Sequence, residues 1–222
     1  ITESFDAKSA SGSITEMRQN YNEMVKYFKK AKPQNVHAED KKVNFKERSV
    51  AYRHYSKSSD NKSDVIYFHG GGFVLGGLES HDDICAEICD ITGYNVFLLD
   101  YSLAPEVKYP EFFLDAIRFY YFIKNPERRL IVMGDSAGGT LAGFVSNKVR
   151  NVAICPEAQV LIYPDLAGQI NGTNKRRFWD APLLNQDEID FYHKCAGLPL
   201  EKGLHDLTRN FDNDNMPKTL LV

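Results

Sequence analysis

No stretch of this sequence approaches the ~20 consecutive apolar residues that a helical membrane span requires, and the longest apolar runs are only strand-length. A spanning helix is therefore not expected. Residues 1–12 are polar, so no secretory leader is visible, although a start at Ile1 rather than Met fits a trimmed N-terminus. A cytoplasmic location is the expectation. Charge of one sign is also lacking: 27 Lys and Arg stand against 30 Asp and Glu, for a formal net charge of −3. That gives no basic face for nucleic acid or an anionic membrane. The basic pairs Lys29–Lys30, Lys41–Lys42 and Arg176–Arg177 are short and read as solvated surface. Cysteine is scarce, at four. Cys85 and Cys89 stand four apart on a predicted helix, but no His or Cys pair of matching spacing follows to complete a metal site. Small buried hydrophobes in a reducing compartment are the simpler reading. Internal repeats and low-complexity tracts are absent as well.

What is present suits one large domain. The 222 residues are ample for a continuous core, and 43% of them are hydrophobic. Ile14, Met17, Tyr21, Met24, Val25 and Phe28 fall on one stripe and predict a helix over 14–30, with Ser13 and Glu16 as a capping box. Residues 43–48 and 50–56 read as extended runs. From residue 64 strands alternate with helices: strands at 65–68, 96–101, 130–133, 158–163 and 219–222, helices at 80–92, from Pro110 to Pro126, and at 138–149. Such alternation predicts a mostly parallel sheet covered on both faces. Residues 165 to about 215 break the pattern. They are polar, hold a helix over 186–195, and suit a cap over a site rather than sheet.

Two motifs carry chemistry. Gly134-Asp135-Ser136-Ala137-Gly138 is a G-x-S-x-G. Alone it is a weak signal, but a strand pattern enters it and a helix pattern leaves it. A serine on such a turn is held in a strained conformation with its hydroxyl exposed above the sheet, as a nucleophile needs. A Gly-rich βα turn or a phosphate-binding turn would share some of the pattern, but the Lys-Ser/Thr ending of a P-loop is absent. The second motif, His69-Gly70-Gly71-Gly72-Phe73, also follows a strand. Consecutive glycines let backbone N–H groups approach a ligand closely. Acyl transfer needs such donors for its oxyanion, each worth roughly 3–4 kcal/mol. Gly71, Gly72 and the amide of Ala137 can supply them.

On these motifs the chain resembles the hormone-sensitive-lipase-like family of α/β-hydrolase esterases and lipases. The family pattern is HGGGF, then DYRLAPE, then GDSAGG; here these are residues 69–73, 100–106 and 134–139. Ser102 departs, standing where the family has Arg. The resemblance implies an α/β-hydrolase fold with a helical cap: an N-terminal cap element over 1–40, core over 41–164, a cap insertion over 165–210, and the start of a further core strand over 211–222. It implies Ser136 as nucleophile, Gly71, Gly72 and Ala137 as oxyanion hole, and His69 and Glu106 as structural supports. Asp100 and Tyr101 are read simply as ending a strand.

A serine hydrolase also needs an orienting acid and a His, which follow the serine in chain order in this fold. By resemblance both fall beyond Val222, so the C-terminal part of the fold is expected to be missing. Asp165, with His193 or His205, is the alternative inside the chain, but the family pattern puts Asp165 at a loop start and the histidines in cap or connecting segments. The expected activity of the full-length protein is a serine carboxylesterase working through an acyl-enzyme on small or short-chain esters, with no metal or organic cofactor. Phe73, Phe178, Trp179 and Tyr192 suggest a modest apolar acyl pocket. A non-catalytic small-molecule receptor and an amide or formamide hydrolase are the alternatives. The expected partner is a small-molecule ester, with no nucleic acid and no membrane span. An exposed sheet edge would favour self-association, a homodimer being one form.

Overall fold

The computed structural model describes residues 12–45, 48–57, 62–166, 184–199 and 215–222. In chain order the elements are α1 (Ile14–Phe28), β1 (His37–Phe45), β2 (Arg48–Ser56), β3 (Ser63–Phe68), α2 (Asp82–Thr92), β4 (Asn95–Asp100), α3 (Glu111–Ile123), β5 (Arg129–Asp135), α4 (Ala137–Val149), β6 (Ala158–Ile162), α5 (Gln186–Ala196) and β7 (Lys218–Leu221). They build one sheet in the order β1-β2-β4-β3-β5-β6-β7. The β1–β2 and β2–β4 pairs are antiparallel, and the other four pairs are parallel.

The expected strand–helix alternation is present, and its interior is apolar for the reason given by the layering. All six positions of β3 are buried, because a central strand of a sheet covered on both faces has no solvent side. Phe112, Phe113, Ala116, Phe119 and Tyr120 of α3 and Leu141, Ala142, Phe144 and Val145 of α4 fill one side of the core. Cys85, Ala86 and Cys89 of α2 pack with Val65, Tyr67, Val96 and Leu98 on the other. Burying such side chains stabilises by roughly 1.5–3 kcal/mol each for the larger ones.

Two expectations are modified. β1 begins at His37, six residues before the predicted run, because its mostly exposed residues pair through their backbones with β2 and so carry no alternating apolar signal. Pro110 sits at the N-cap of α3 rather than in its first turn. The capping box of α1 forms as predicted, with the Ser13 hydroxyl accepting from the Glu16 amide at 3.3 Å and Glu16 Oε2 accepting from the Ser13 amide at 2.7 Å. No described helix is long and apolar enough to cross a membrane.

Sheet register positions the site. Phe68, the last residue of β3, pairs with Gly134, and Asp135 pairs with Ile162. The glycine triplet and the G-x-S-x-G turn therefore leave neighbouring parallel strands at the same edge. That carboxyl edge is where α/β sheets hold ligands.

Candidate active site

Ser136 occupies the sharp turn between β5 and α4 at φ 52° and ψ −124°, a conformation rare for a residue with a side chain. The turn is closed by its amide, which donates to the Ile162 carbonyl at 2.9 Å, and by its carbonyl, which accepts from the Thr140 amide at 3.0 Å. The side chain is half-buried rather than enclosed. Glycine is sterically required on both sides. A Cβ on Gly138 would lie 2.0 Å from the Phe68 carbonyl oxygen, and one on Gly134 would lie 2.4 Å from the Gly138 backbone. The elbow is thus wedged against the end of β3, where the glycine triplet begins.

The triplet turns tightly. Gly71 and Gly72 have φ of 118° and 61°, and the Gly71 carbonyl accepts from Val74 at 3.0 Å and Leu75 at 2.8 Å. Among the described residues no protein acceptor takes the Gly71 or Gly72 N–H. Ala137 opens α4, so its N–H is one of the helix donors without an intrahelical partner.

Asp135, the variable residue of the motif, ties the two motifs together. Its Oδ1 accepts from the Tyr67 hydroxyl at 2.9 Å and the Gly70 amide at 3.1 Å, and lies 3.2 Å from His81 Nε2. Burial pushes this carboxyl up, but the hydrogen bonds from His81 and Tyr67 and the nearby histidines outweigh it, so it stays below the ordinary carboxylate range. The Tyr67 phenol is driven well above its usual range by burial and by this carboxylate. Sequence reasoning missed Tyr67, His81 and the role of Asp135. The carboxylate inside the motif was the one available signal.

His69 is fully buried, with its Nδ1 donating to the Gly70 carbonyl at 2.8 Å. Burial, reinforced by His81, pushes it down to about 3, so it is neutral. Tyr101 does more than end a strand: its ring stacks on His69 and its hydroxyl donates to the His69 carbonyl at 2.8 Å. Glu106 forms a bidentate pair with Arg18 of α1, and Arg18 also donates to the carbonyls of Val74 and Ala104. Phe73 is buried and stacks on Phe112 at 4.7 Å, at a φ of 63°. Phe178, Trp179 and His205 lie outside the described residues.

The place of the absent motif arginine is also explained. Arg48 of β2 donates to the Ser102 hydroxyl at 2.9 Å and pairs with Glu111 and the buried Asp115, whose Oδ2 accepts from the Ser102 amide at 3.1 Å. A guanidinium from a distant strand meets the carboxylate beside position 102.

The structure does bring Asp165 and His193 together, at 2.7 Å between Oδ2 and Nε2. Tyr21 of α1 is partly buried, and burial, followed by the charges of Asp135, Tyr163 and Tyr192, pushes its phenol above the usual range.

Residues 65–222 match the family described by its alpha/beta hydrolase fold. The chain belongs to that family. Within it, the hormone-sensitive-lipase-like esterase branch expected from the motifs is the one matched. Among similar alpha/beta hydrolases, the ethyl acetate hydrolase of Pseudomonas putida is 32% identical over 149 residues, covering 62% of this chain and 46% of that protein. The acetyl esterase of Salmonella paratyphi B is 31% identical over 158 residues, covering 66% of this chain and 48% of that one. Among solved structures, a Pyrobaculum calidifontis esterase superposes with a TM-score of 0.83 at 26% identity, covering 95% of this chain and 74% of that one. The chain thus spans about half the length of the curated relatives it matches.

Proposed function

We propose that these residues form the nucleophile and oxyanion side of a serine carboxylesterase. Ser136 Oγ attacks the ester carbonyl carbon, and the amides of Gly71, Gly72 and Ala137 hold the negative oxygen of the tetrahedral intermediate. Collapse breaks the bond to the alcohol, which leaves with the proton taken from the serine. Water then cleaves the acyl-enzyme and regenerates the hydroxyl. One observation carries this reading: a strained, half-exposed serine beside backbone donors that no acceptor among the described residues occupies.

The general base and its acid belong, in this reading, to sequence following Val222. The length of the relatives supports this, as does β7, whose apolar Leu220 and Leu221 stand exposed. Asp165 and His193 form the competing pair. Against them, the carboxylate occupies His193 Nε2 and the pair sits on cap-side sequence. Residues 1–40 and 165–210 serve as cap elements over the 41–164 core. Short acyl esters are the substrate class, supported by the names of the two relatives.

A fluorophosphonate probe on the full-length protein tests this. Covalent labelling of Ser136, abolished in Ser136→Ala, with turnover of a p-nitrophenyl acetate-type ester, is expected. A wild-type protein that binds small ligands but neither labels nor turns over ester is a receptor, and the proposal fails.

A further inference from the structure

Two consecutive residues of α5 reach the two halves of the proposed site. A Cβ on Gly72 would lie 2.6 Å from Tyr192 Cγ, 2.9 Å from Cδ2 and 3.0 Å from Cβ, so the root of the Tyr192 ring rests directly on that glycine. The next residue, His193, grips the Asp165 carboxylate at 2.7 Å. The Asp165 backbone carbonyl in turn accepts from the Thr140 hydroxyl at 2.7 Å, and Thr140 lies one turn along α4 from Ser136. One short helix is therefore in contact with a candidate oxyanion donor and, through Asp165, with the nucleophile's helix.

The helix is built to hold position. Asn185 and Glu188 close a capping box at its start, and Gly197 ends it in the left-handed conformation with N–H bonds to the His193 and Lys194 carbonyls. The Ala196 carbonyl accepts from the Tyr109 amide at 2.9 Å, which fastens the helix end to the segment before α3. The glycine it presses has the opposite character. At φ 61° and without a side chain, the Gly72 peptide can rotate unless a wall stops it.

We propose, resting on the esterase reading above, that Tyr192 and His193 are positioning residues. α5 acts as a clamp that sets the Gly72 N–H against the Ser136 hydroxyl, so the cap takes part in building the oxyanion hole as well as covering it. Donors must sit about 2.7–3.1 Å from the position the oxyanion will take, and a displacement of ~1 Å can cost ~10²-fold. The contact runs through Cβ, Cγ and Cδ2, so the ring matters and the hydroxyl does not.

The test uses the full-length protein and its purified variants, each checked for folding by circular dichroism. Tyr192→Ala should lower kcat by about 10- to 100-fold with KM within about 3-fold, and weaken a trifluoromethyl ketone inhibitor by a matching factor. Tyr192→Phe should keep kcat within about 2-fold. His193→Ala and Asp165→Asn should each cost about 3- to 10-fold in kcat, and the double variant no more than the worse single one, because they cut the same link. Should Tyr192→Ala fail to fold, Tyr192→Ser, which also lacks Cγ and Cδ2, is read by the same criteria. A Tyr192 variant with wild-type kcat, or with only KM raised, overturns the clamp. A loss of about 10⁶-fold in His193→Ala also overturns it, by making His193 the base. Wild-type protein that neither labels with fluorophosphonate nor cleaves ester defeats the esterase reading itself, whereas an active wild type with indifferent Tyr192 variants defeats the clamp alone.

Discussion

The floor of the site and its roof are held by different kinds of contact. In the floor, backbone meets backbone: Gly138 against Phe68 and Gly134 against Gly138. No rotamer can absorb an error there. In the roof, side chains do the holding. Arg18 reaches Glu106, Lys29 reaches Glu79, and His193 reaches Asp165, with at least one partner well exposed in the first two pairs. Contacts of the first kind fix a geometry that acyl transfer requires, while contacts of the second kind can be exchanged residue by residue. A scaffold with this division can keep one chemistry while the roof changes what it admits.

The comparison can be broken most severely at the floor. Ser136→Ala should reduce kcat of the full-length protein by about 10⁶-fold with little change in thermal unfolding; activity retained within about 10-fold would remove the serine from the chemistry. Gly138→Ala forces a Cβ onto a backbone carbonyl and should destabilise by more than about 4 kcal/mol in denaturant unfolding, or prevent folding.

His69 gives a pH test of the same region. Its folded value, about 3, lies below the ordinary histidine value. The stability it contributes is therefore complete above the ordinary value of ~6.5 and is lost as pH falls toward about 3, because the unfolded chain binds the proton first. The slope is at most about 1.4 kcal/mol per pH unit. His69→Phe should flatten the unfolding free energy over that window; an unchanged pH profile would contradict the buried neutral imidazole.

At the margin between floor and roof, Arg48→Ala leaves the buried Asp115 with only the more distant Arg118, at 3.9 Å, and should cost about 2 kcal/mol, below the fully buried case because Arg48 is partly exposed. Adding Ser102→Arg, which restores the family residue, should recover most of that loss, as a double-mutant cycle would show. The smallest effect belongs to the roof: Glu106→Ala removes an exposed pair and should change stability by no more than about 1 kcal/mol. A larger loss would show the roof to be as strictly held as the floor.

How much was legible follows the same line. The G-x-S-x-G and the glycine triplet were readable because their residue types are forced by local sterics, and the structure shows the clashes any side chain would cause. The Ser13–Glu16 cap was readable because it closes within four residues. Tyr67 and His81 were not, since an aromatic in a strand and a histidine before a helix look ordinary until register brings them to Asp135. The first nine-residue strand was read short because edge pairing leaves no mark on side-chain polarity.

The sequence by itself determined the parallel sheet, the family, and the two backbone turns with the serine between them, because strand burial and glycine sterics are written into neighbouring residues. Only the tertiary structure decided that Arg48 meets Ser102 and Asp115, that Asp135 joins the two turns, that Tyr192 rests on Gly72, and that His193 meets Asp165. Those contacts join residues tens of positions apart, and a chain encodes them only through the register and packing of everything between.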